Sequence, residues 1–261
     1  MHRILKIAVP AIVIVTLGRI PLAAQTDYRN LDDHRPVRTE DAYAIERYAF
    51  ELILPYEYEN GLGAEQLHQV APEISYGLLA NTQVGVKLPF AAFRRRAGTD
   101  WGFGGPRLFA LHNFNTESPG LPALALRADL SLHVQLTLTA IATRSWGRTR
   151  LHLNGGATLG RDRGRPAIDP APEWAVSLAA DRTLLRQSLL LVGELGVLEA
   201  TATAPTEVTT ALGMRYQLTP TLVLDAGVSR RLTADAGPDL GLTLGLTHSF
   251  AAAGLMPRGA R

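Results

Sequence analysis

The stretch Asp239-Leu-Gly-Leu-Thr-Leu-Gly-Leu-Thr-His-Ser-Phe250 decides the reading of this chain. Leu240, Leu242, Leu244 and Leu246 occupy alternate positions, with Gly241, Thr243, Gly245 and Thr247 between them. Successive side chains of a strand point to opposite faces, so a strict period of two marks a strand with one apolar and one mildly polar face. An edge strand of a soluble sandwich shows the same pattern. What separates the two possibilities is how often the texture recurs, and at what length.

It recurs along most of the chain. Residues 44–58 set Tyr48, Phe50, Leu52, Leu54, Tyr56 and Tyr58 on one face, against Arg47, Ala49, Glu51, Ile53 and Glu57 on the other, with Glu59 continuing that face just beyond. Tyrosines flanking an aliphatic centre are the sequence form of an interfacial aromatic girdle. Further alternating segments cover 67–79, 82–93, 149–160, 172–182, 187–199, 208–218, 222–232 and 240–250, and 101–113 is a poorer strand with apolar residues on both faces. Each is about the length that crosses a bilayer as a tilted strand. Short turns such as Ala80-Asn81 and Thr219-Pro220 alternate with longer charged loops.

Residues 123–146 alternate almost throughout and contain no Gly, Pro or Asn. As one strand, the first 22 of them would span roughly 70 Å at ~3.3 Å each, against ~25–30 Å of hydrocarbon. Bacterial single-chain barrels also have even strand numbers. The segment therefore splits into 122–131 and 134–145, with a tight turn near Leu132-His133 that no turn residue marks. The expected fold is all-β, a transmembrane antiparallel up-and-down barrel of about 12 strands.

Residues 1–24 read as an export signal: His2, Arg3 and Lys6 precede an apolar run from Ile7 to Leu17, and Leu22-Ala23-Ala24 offers small residues for cleavage. The run is about eleven residues, short of the roughly twenty a spanning helix needs. Of the 26 basic side chains, Arg3, Lys6 and Arg19 lie in this segment, which has no acidic residue. The remainder carries 23 basic against 24 acidic groups, formally −1. Bulk charge thus offers no basis for nucleic-acid binding. With no cysteine, disulfide scaffolds and thiolate metal sites are excluded. Residues 25–43 form a polar lead-in or plug, 44–250 the barrel and 251–261 a tail. No later apolar run reaches the length of a spanning helix, so a membrane location requires a closed barrel.

Several fragments resemble a known family. They are Pro72-Glu73-Ile74-Ser75-Tyr76-Gly77 with Asn81 to Phe90, Glu117 to Arg127, Leu151-His152-Leu153-Asn154, and Leu222 to Gly227 with Arg230-Arg231-Leu232. Together they resemble the outer-membrane transporter family associated with the meta-cleavage pathway of phenol degradation, over about residues 45–250. The resemblance implies a Gram-negative outer-membrane, porin-like barrel that takes up small, often aromatic or hydrophobic, molecules, and it implies no catalytic residue. The chain departs from the family pattern where 124–132 runs on through His133-Val134 without a Pro-Thr-Gly-type loop. It departs again where the tail extends past Phe250.

Opposite the apolar stripes lie Glu51, Glu73, Lys87, Arg127, Asp129, His152, Asn154, Glu194, Arg215, Asp225 and Arg231. In a barrel these line the lumen. Charges of both signs there set up a transverse field that selects small polar or amphipathic solutes. They are equally what a salt-bridged, side-chain-filled interior with no through-path requires, which is the alternative reading: a structural or interaction barrel. An enzyme is not expected. His152 with Ser131 or Ser177 has the residue types of a base and nucleophile, but no Gly-x-Ser-x-Gly exists. The seven histidines show no ligand spacing, and no metal or cofactor is expected. Trp101-Gly102-Phe103-Gly104-Gly105 opens no helix that would cradle phosphate. The expected partners are a small-molecule solute, outer-membrane lipid, the lipopolysaccharide whose phosphates suit Arg94-Arg95-Arg96, and the barrel-assembly machinery.

Overall fold

A computed structural model describes residues 27–32, 34–61, 65–95, 98–131, 135–160, 172–185, 188–199, 205–234 and 236–255. The expected signal segment, Leu132-His133, Arg96 and residues 256–261 of the tail lie outside them.

Fifteen strand segments form one antiparallel sheet: β1 (Ala49–Asn60), β2 (Gln66–Val70), β3 (Glu73–Leu79), β4 (Thr82–Lys87), β5 (Phe90–Arg95), β6 (Gly98–Phe103), β7 (Arg107–Asn115), β8 (Ala123–Ser131), β9 (Leu136–Trp146), β10 (Thr149–Leu159), β11 (Trp174–Leu184), β12 (Leu189–Glu199), β13 (Glu207–Thr219), β14 (Leu222–Arg231) and β15 (Leu240–Ala251). β15 pairs back onto β1 from Ala49↔Ala251 to Asn60↔Leu240, which closes the barrel. β2 and β3 together make one crossing, as do β4 with β5 and β6 with β7. The barrel therefore has twelve staves.

The paired segments correct the sequence reading, which took 67–79, 82–93 and 101–113 as unbroken strands. Each is interrupted, at Ala71-Pro72, at Leu88-Pro89 and at Gly104-Gly105-Pro106. Proline has no N–H to give to a ladder, so pairing lapses on the side that its nitrogen would have served. Pro55 breaks the ladder of β1 to β2 and β3 between Ile53 and Tyr56, while the ladder to β15 runs on through it. Single backbone bonds, from Leu88 N to the Pro72 carbonyl and from Gly104 N to the Pro89 carbonyl, bridge the breaks at 2.9 Å. With Pro55 in β1, these prolines recur every 17 residues and form a band across four adjacent staves. The first strand also starts later than expected, at Ala49. Tyr48 has φ +70° and breaks the extended conformation just before it.

Between β8 and β9 the chain reverses, with Leu130 opposite Leu136 and Ser131 N bonded to the Gln135 carbonyl. The long alternating run is thus a hairpin, as its excess length required.

Alternation sorts the side chains. Leu54, Leu108, Leu153, Leu195, Leu212 and Leu244 are exposed on the outer wall. Glu51, Arg127, His152, Glu194, Arg215 and Thr247 are buried within. At the end carrying β1's start, Phe50 stacks on Phe250 with centroids 5.3 Å apart and lies 4.6 Å from Tyr76. Phe250 therefore belongs to an outward aromatic cluster across the closing seam, and Ala253–Leu255 follow as a single 3-10 turn.

Candidate functional site

Inside the barrel lies the chain's own N-terminal segment. Its described residues, 27–32 and 34–47, start at the end where β1 begins, cross the lumen and return to β1, touching most of the wall on the way. Such a segment carries backbone polar groups away from bulk water, and each needs a partner. The inward side chains of the strands supply them.

The segment has two apolar footholds. Tyr28, Leu31 and Val37 pack with Ala179, Leu190, Val192, Ala211 and Val223 on the β11–β14 wall. Ala42 packs with Leu111, Ala123, Ala125 and Ile141 on the β7–β9 wall, beside Tyr43 and Ala44. Between the footholds the contacts are polar and charged. The Arg35 guanidinium donates to Asp225 at 2.9 Å and to Asp32 at 2.9 Å, and Arg215 donates to the same Asp32 carboxylate at 2.6 Å. The Thr39 amide and hydroxyl both donate to Glu194, at 2.5 and 2.6 Å, and the hydroxyl lies 2.8 Å from Ser177 Oγ. Arg127 pairs with Glu40 at 2.9 Å while also holding Asp129, with its guanidinium 4.1 Å from the Phe109 ring centroid. Arg150 pairs with Asp41 at 3.1 Å and with Asp181 at 2.6 Å, and reaches the Arg29 carbonyl. The Ala42 amide donates to Thr143, Asn113 donates to the Ala42 carbonyl, and the Ile45 amide donates to Gln83.

Glycines on the inward face make room for this path. A Cβ at Gly227 would sit 2.0 Å from the Pro36 carbonyl oxygen, and one at Gly213 would meet the Pro36 ring at 2.7 Å. At Gly245 it would lie 2.4 Å from both Arg35 Nη1 and the Asp225 carboxylate. β13, β14 and β15 thus each lack a side chain where the segment passes.

The sequence-predicted residues divide by what they touch. Arg127, Glu194, Arg215 and Asp225 grip the luminal segment directly. His152 acts one step back: its ring nitrogens lie 3.0 Å from Thr143 Oγ1 and 3.0 Å from Asp181 Oδ2, the groups that hold Ala42 and Arg150. Neither Ser131 nor Ser177 is among the hydrogen-bond partners of the His152 ring in the described residues. Glu73 accepts from Ser75 at 3.0 Å and lies opposite Lys87, and Glu51 accepts from Ser249 at 3.4 Å. Asn154 is buried on β10, and Arg231 pairs with Asp239 at 2.6 Å towards the other mouth. Sequence reasoning missed Arg150, Asp181, Thr143, Gln83, Asn113 and Glu207 on the wall, and Arg35, Glu40 and Asp41 on the segment. Arg150 has the same parity as His152 two residues on, so its facing was readable. Its partner Asp41 was not, because nothing in a non-periodic polar stretch says which wall it meets.

The two mouths differ. Where the chain enters, a cavity of about 280 Å³ opens beside Tyr43, Ala44, Glu46 and Arg150. The Tyr43 hydroxyl lies 3.4 Å from Glu117, on the turn between β7 and β8. Partial burial works to raise the Glu117 carboxyl, but the Ser145 amide at 2.9 Å and the nearby Arg144 guanidinium outweigh it and hold it below the usual carboxylate range. At the opposite mouth, Arg38 of the segment lies 3.7 Å from Glu207, and Gly237 packs against the same carboxylate. Among the described residues, no group of three or more metal-ligating side chains comes together.

No protein-family model matches the chain, and no curated protein matches it. Solved structures do. An outer-membrane channel from Pseudomonas putida F1 superposes with a TM-score of 0.61 at 15% identity, over 85% of this chain and 100% of that one. The KdgM porin, solved in complex with disordered oligogalacturonate, superposes with a TM-score of 0.53 at 12% identity, over 77% of this chain and 99% of that one. At these identities the likeness is one of fold: a closed barrel of the outer-membrane channel and porin type.

Proposed function

We propose that this protein is a channel of the bacterial outer membrane for passive passage of small molecules, closed in the described state by its own N-terminal segment. The observation that carries the reading is the nature of the contact between segment and wall. Among the described residues, most of it consists of ion pairs and hydrogen bonds to a polar inner surface, and two small apolar patches pin it. A plug built solely for stability would be better served by apolar packing, since buried ion pairs contribute little net stability over hydrophobic replacements. A polar lumen that can exchange its plug for water and solute is what a gated pore needs.

The lining bears on the cargo. The inner wall offers carboxylates, guanidinium groups and hydroxyls, with Phe109 lying under Arg127. Such a surface suits polar solutes better than the aromatic or hydrophobic molecules that the family resemblance implies. Membership of the phenol-pathway family, export through a signal in residues 1–24, and contacts with lipopolysaccharide and the assembly machinery are part of the same proposal. They are supported by the fragments and the basic, apolar N-terminus described above.

Planar-bilayer recordings test it. The full-length chain should give small or flickering currents, and a variant lacking residues 27–42 should give larger, steady ones. A deletion variant that assembles as a barrel yet passes no current would support a purely structural barrel instead.

A further inference from the structure

Arg215 on β13 and Asp225 on β14 are directly opposed across the ladder, both inward and both buried. Each meets its opposite charge on the luminal segment: Arg215 takes Asp32 at 2.6 Å and Asp225 takes Arg35 at 2.9 Å. Asp32 and Arg35 are three residues apart and are themselves paired at 2.9 Å. The segment thus inserts a carboxylate and a guanidinium, held together, between a fixed cation and a fixed anion of the wall.

The wall pair also has spare capacity. Arg215 Nε and Nη2 and Asp225 Oδ1 are buried and have no hydrogen-bond partner among the described residues. Buried donors and acceptors left unmade are costly, so these atoms favour any ligand that supplies the missing bonds. Space is provided as well: Gly245 has no side chain where Arg35 enters, and Thr247 Oγ1 lies 3.4 Å from Arg35 Nη2.

We infer that Arg215 and Asp225 form a binding site for small zwitterionic solutes, those carrying one carboxylate and one guanidinium or ammonium group, and that Asp32 and Arg35 are its built-in stand-in. The solute's carboxylate binds Arg215 in place of Asp32, with geometry suited to a two-point contact. Its cationic group binds Asp225 in place of Arg35. Either half alone leaves one wall charge without its partner, so a purely cationic or purely anionic solute binds less well. Binding of the zwitterion and docking of the segment are mutually exclusive, so the solute favours the open state by its preference for it. This inference rests on the channel reading for its consequence, but the site itself can be tested apart from conduction.

The test uses full-length protein in detergent, with the stand-in removed by Asp32→Ala and Arg35→Ala together. Titration calorimetry with 4-guanidinobutyrate should show binding at least about tenfold tighter than with propylguanidinium or butyrate, a difference of about 1.4 kcal/mol. Adding Arg215→Gln or Asp225→Asn should abolish that preference, and the wild type should bind at least about tenfold more weakly than the double variant. Equal affinities for the three probes, or no binding, would overturn the site. Should the double variant fail to assemble, wild-type currents decide: 4-guanidinobutyrate should lengthen the open periods, and butyrate should not. An equal response to both would overturn the inference. Selective binding by a barrel that never conducts would leave the site standing and remove the channel reading. Conduction without selective binding would do the reverse.

Discussion

Arg150 on β10 and Asp41 on the luminal segment lie 3.1 Å apart, and the same guanidinium holds Asp181 of β11 at 2.6 Å. One wall cation therefore compensates a carboxylate of the barrel and a carboxylate of the plug at once. Removing one partner of a buried pair leaves an uncompensated charge, at a cost of about 3–5 kcal/mol. Asp181 keeps His152 at 3.0 Å, but Asp41 loses its cation. Arg150→Leu should therefore loosen the plug more than the barrel. Mean current should rise while heat-modifiable migration is retained. Unchanged current would mean that this pair does not hold the plug in place.

A second expectation concerns glycine. Gly227→Val places a branched side chain where the Pro36 carbonyl now sits, 2.0 Å from the first added atom. Backbone cannot yield by that much in a filled interior, so the plug must leave the β13–β15 wall. Gly155→Val is the control, since nothing lies within 4 Å of a Cβ there. Limited proteolysis should cut within 27–45 readily in the first variant and at the wild-type rate in the second. Equal protection in both would show that the segment does not depend on that niche.

The two faces of β15 give a third. Leu244 is exposed on the outer wall, and Leu244→Arg should cost about 2–4 kcal/mol near the bilayer midplane and impair assembly. Thr243 faces inward and donates to the Pro36 carbonyl at 3.0 Å. Thr243→Arg should assemble, but with the plug displaced and current raised. Equal assembly yields for the two, measured by the heat-shifted gel fraction, would contradict the facing of β15.

Much of this barrel was legible because a strand in a bilayer is constrained twice, by the period of its side chains and by the thickness it must cross. The β8–β9 hairpin shows the strength of length and strand parity together: no turn residue marks it, yet Leu130 lies opposite Leu136. The breaks at Pro72, Pro89 and Pro106 were legible too, from proline chemistry, but alternation on both sides masked them. The polar face of each stripe was readable residue by residue, as Arg127, Glu194, Arg215 and Asp225 illustrate. What they bind was not. Residues 27–47 have no period, and many of their partners lie more than a hundred residues away, as with Arg35 and Asp225 or Thr39 and Glu194. The glycines at 77, 213, 227 and 245, where an added Cβ would collide with the plug, were a trace of it in the strands, and glycine in a strand has several other causes.

Movement of the plug within a conducting barrel is tested most directly by locking it. Thr39 Oγ1 and Ser177 Oγ lie 2.8 Å apart, and the chain has no cysteine of its own. Thr39→Cys with Ser177→Cys therefore places two sulfurs within reach of a disulfide across the gate. Single-channel current through the oxidised protein should fall to the closed level, and a reductant should restore it. Identical currents before and after reduction, with the disulfide confirmed by mass, would contradict a plug that must move for solute to pass.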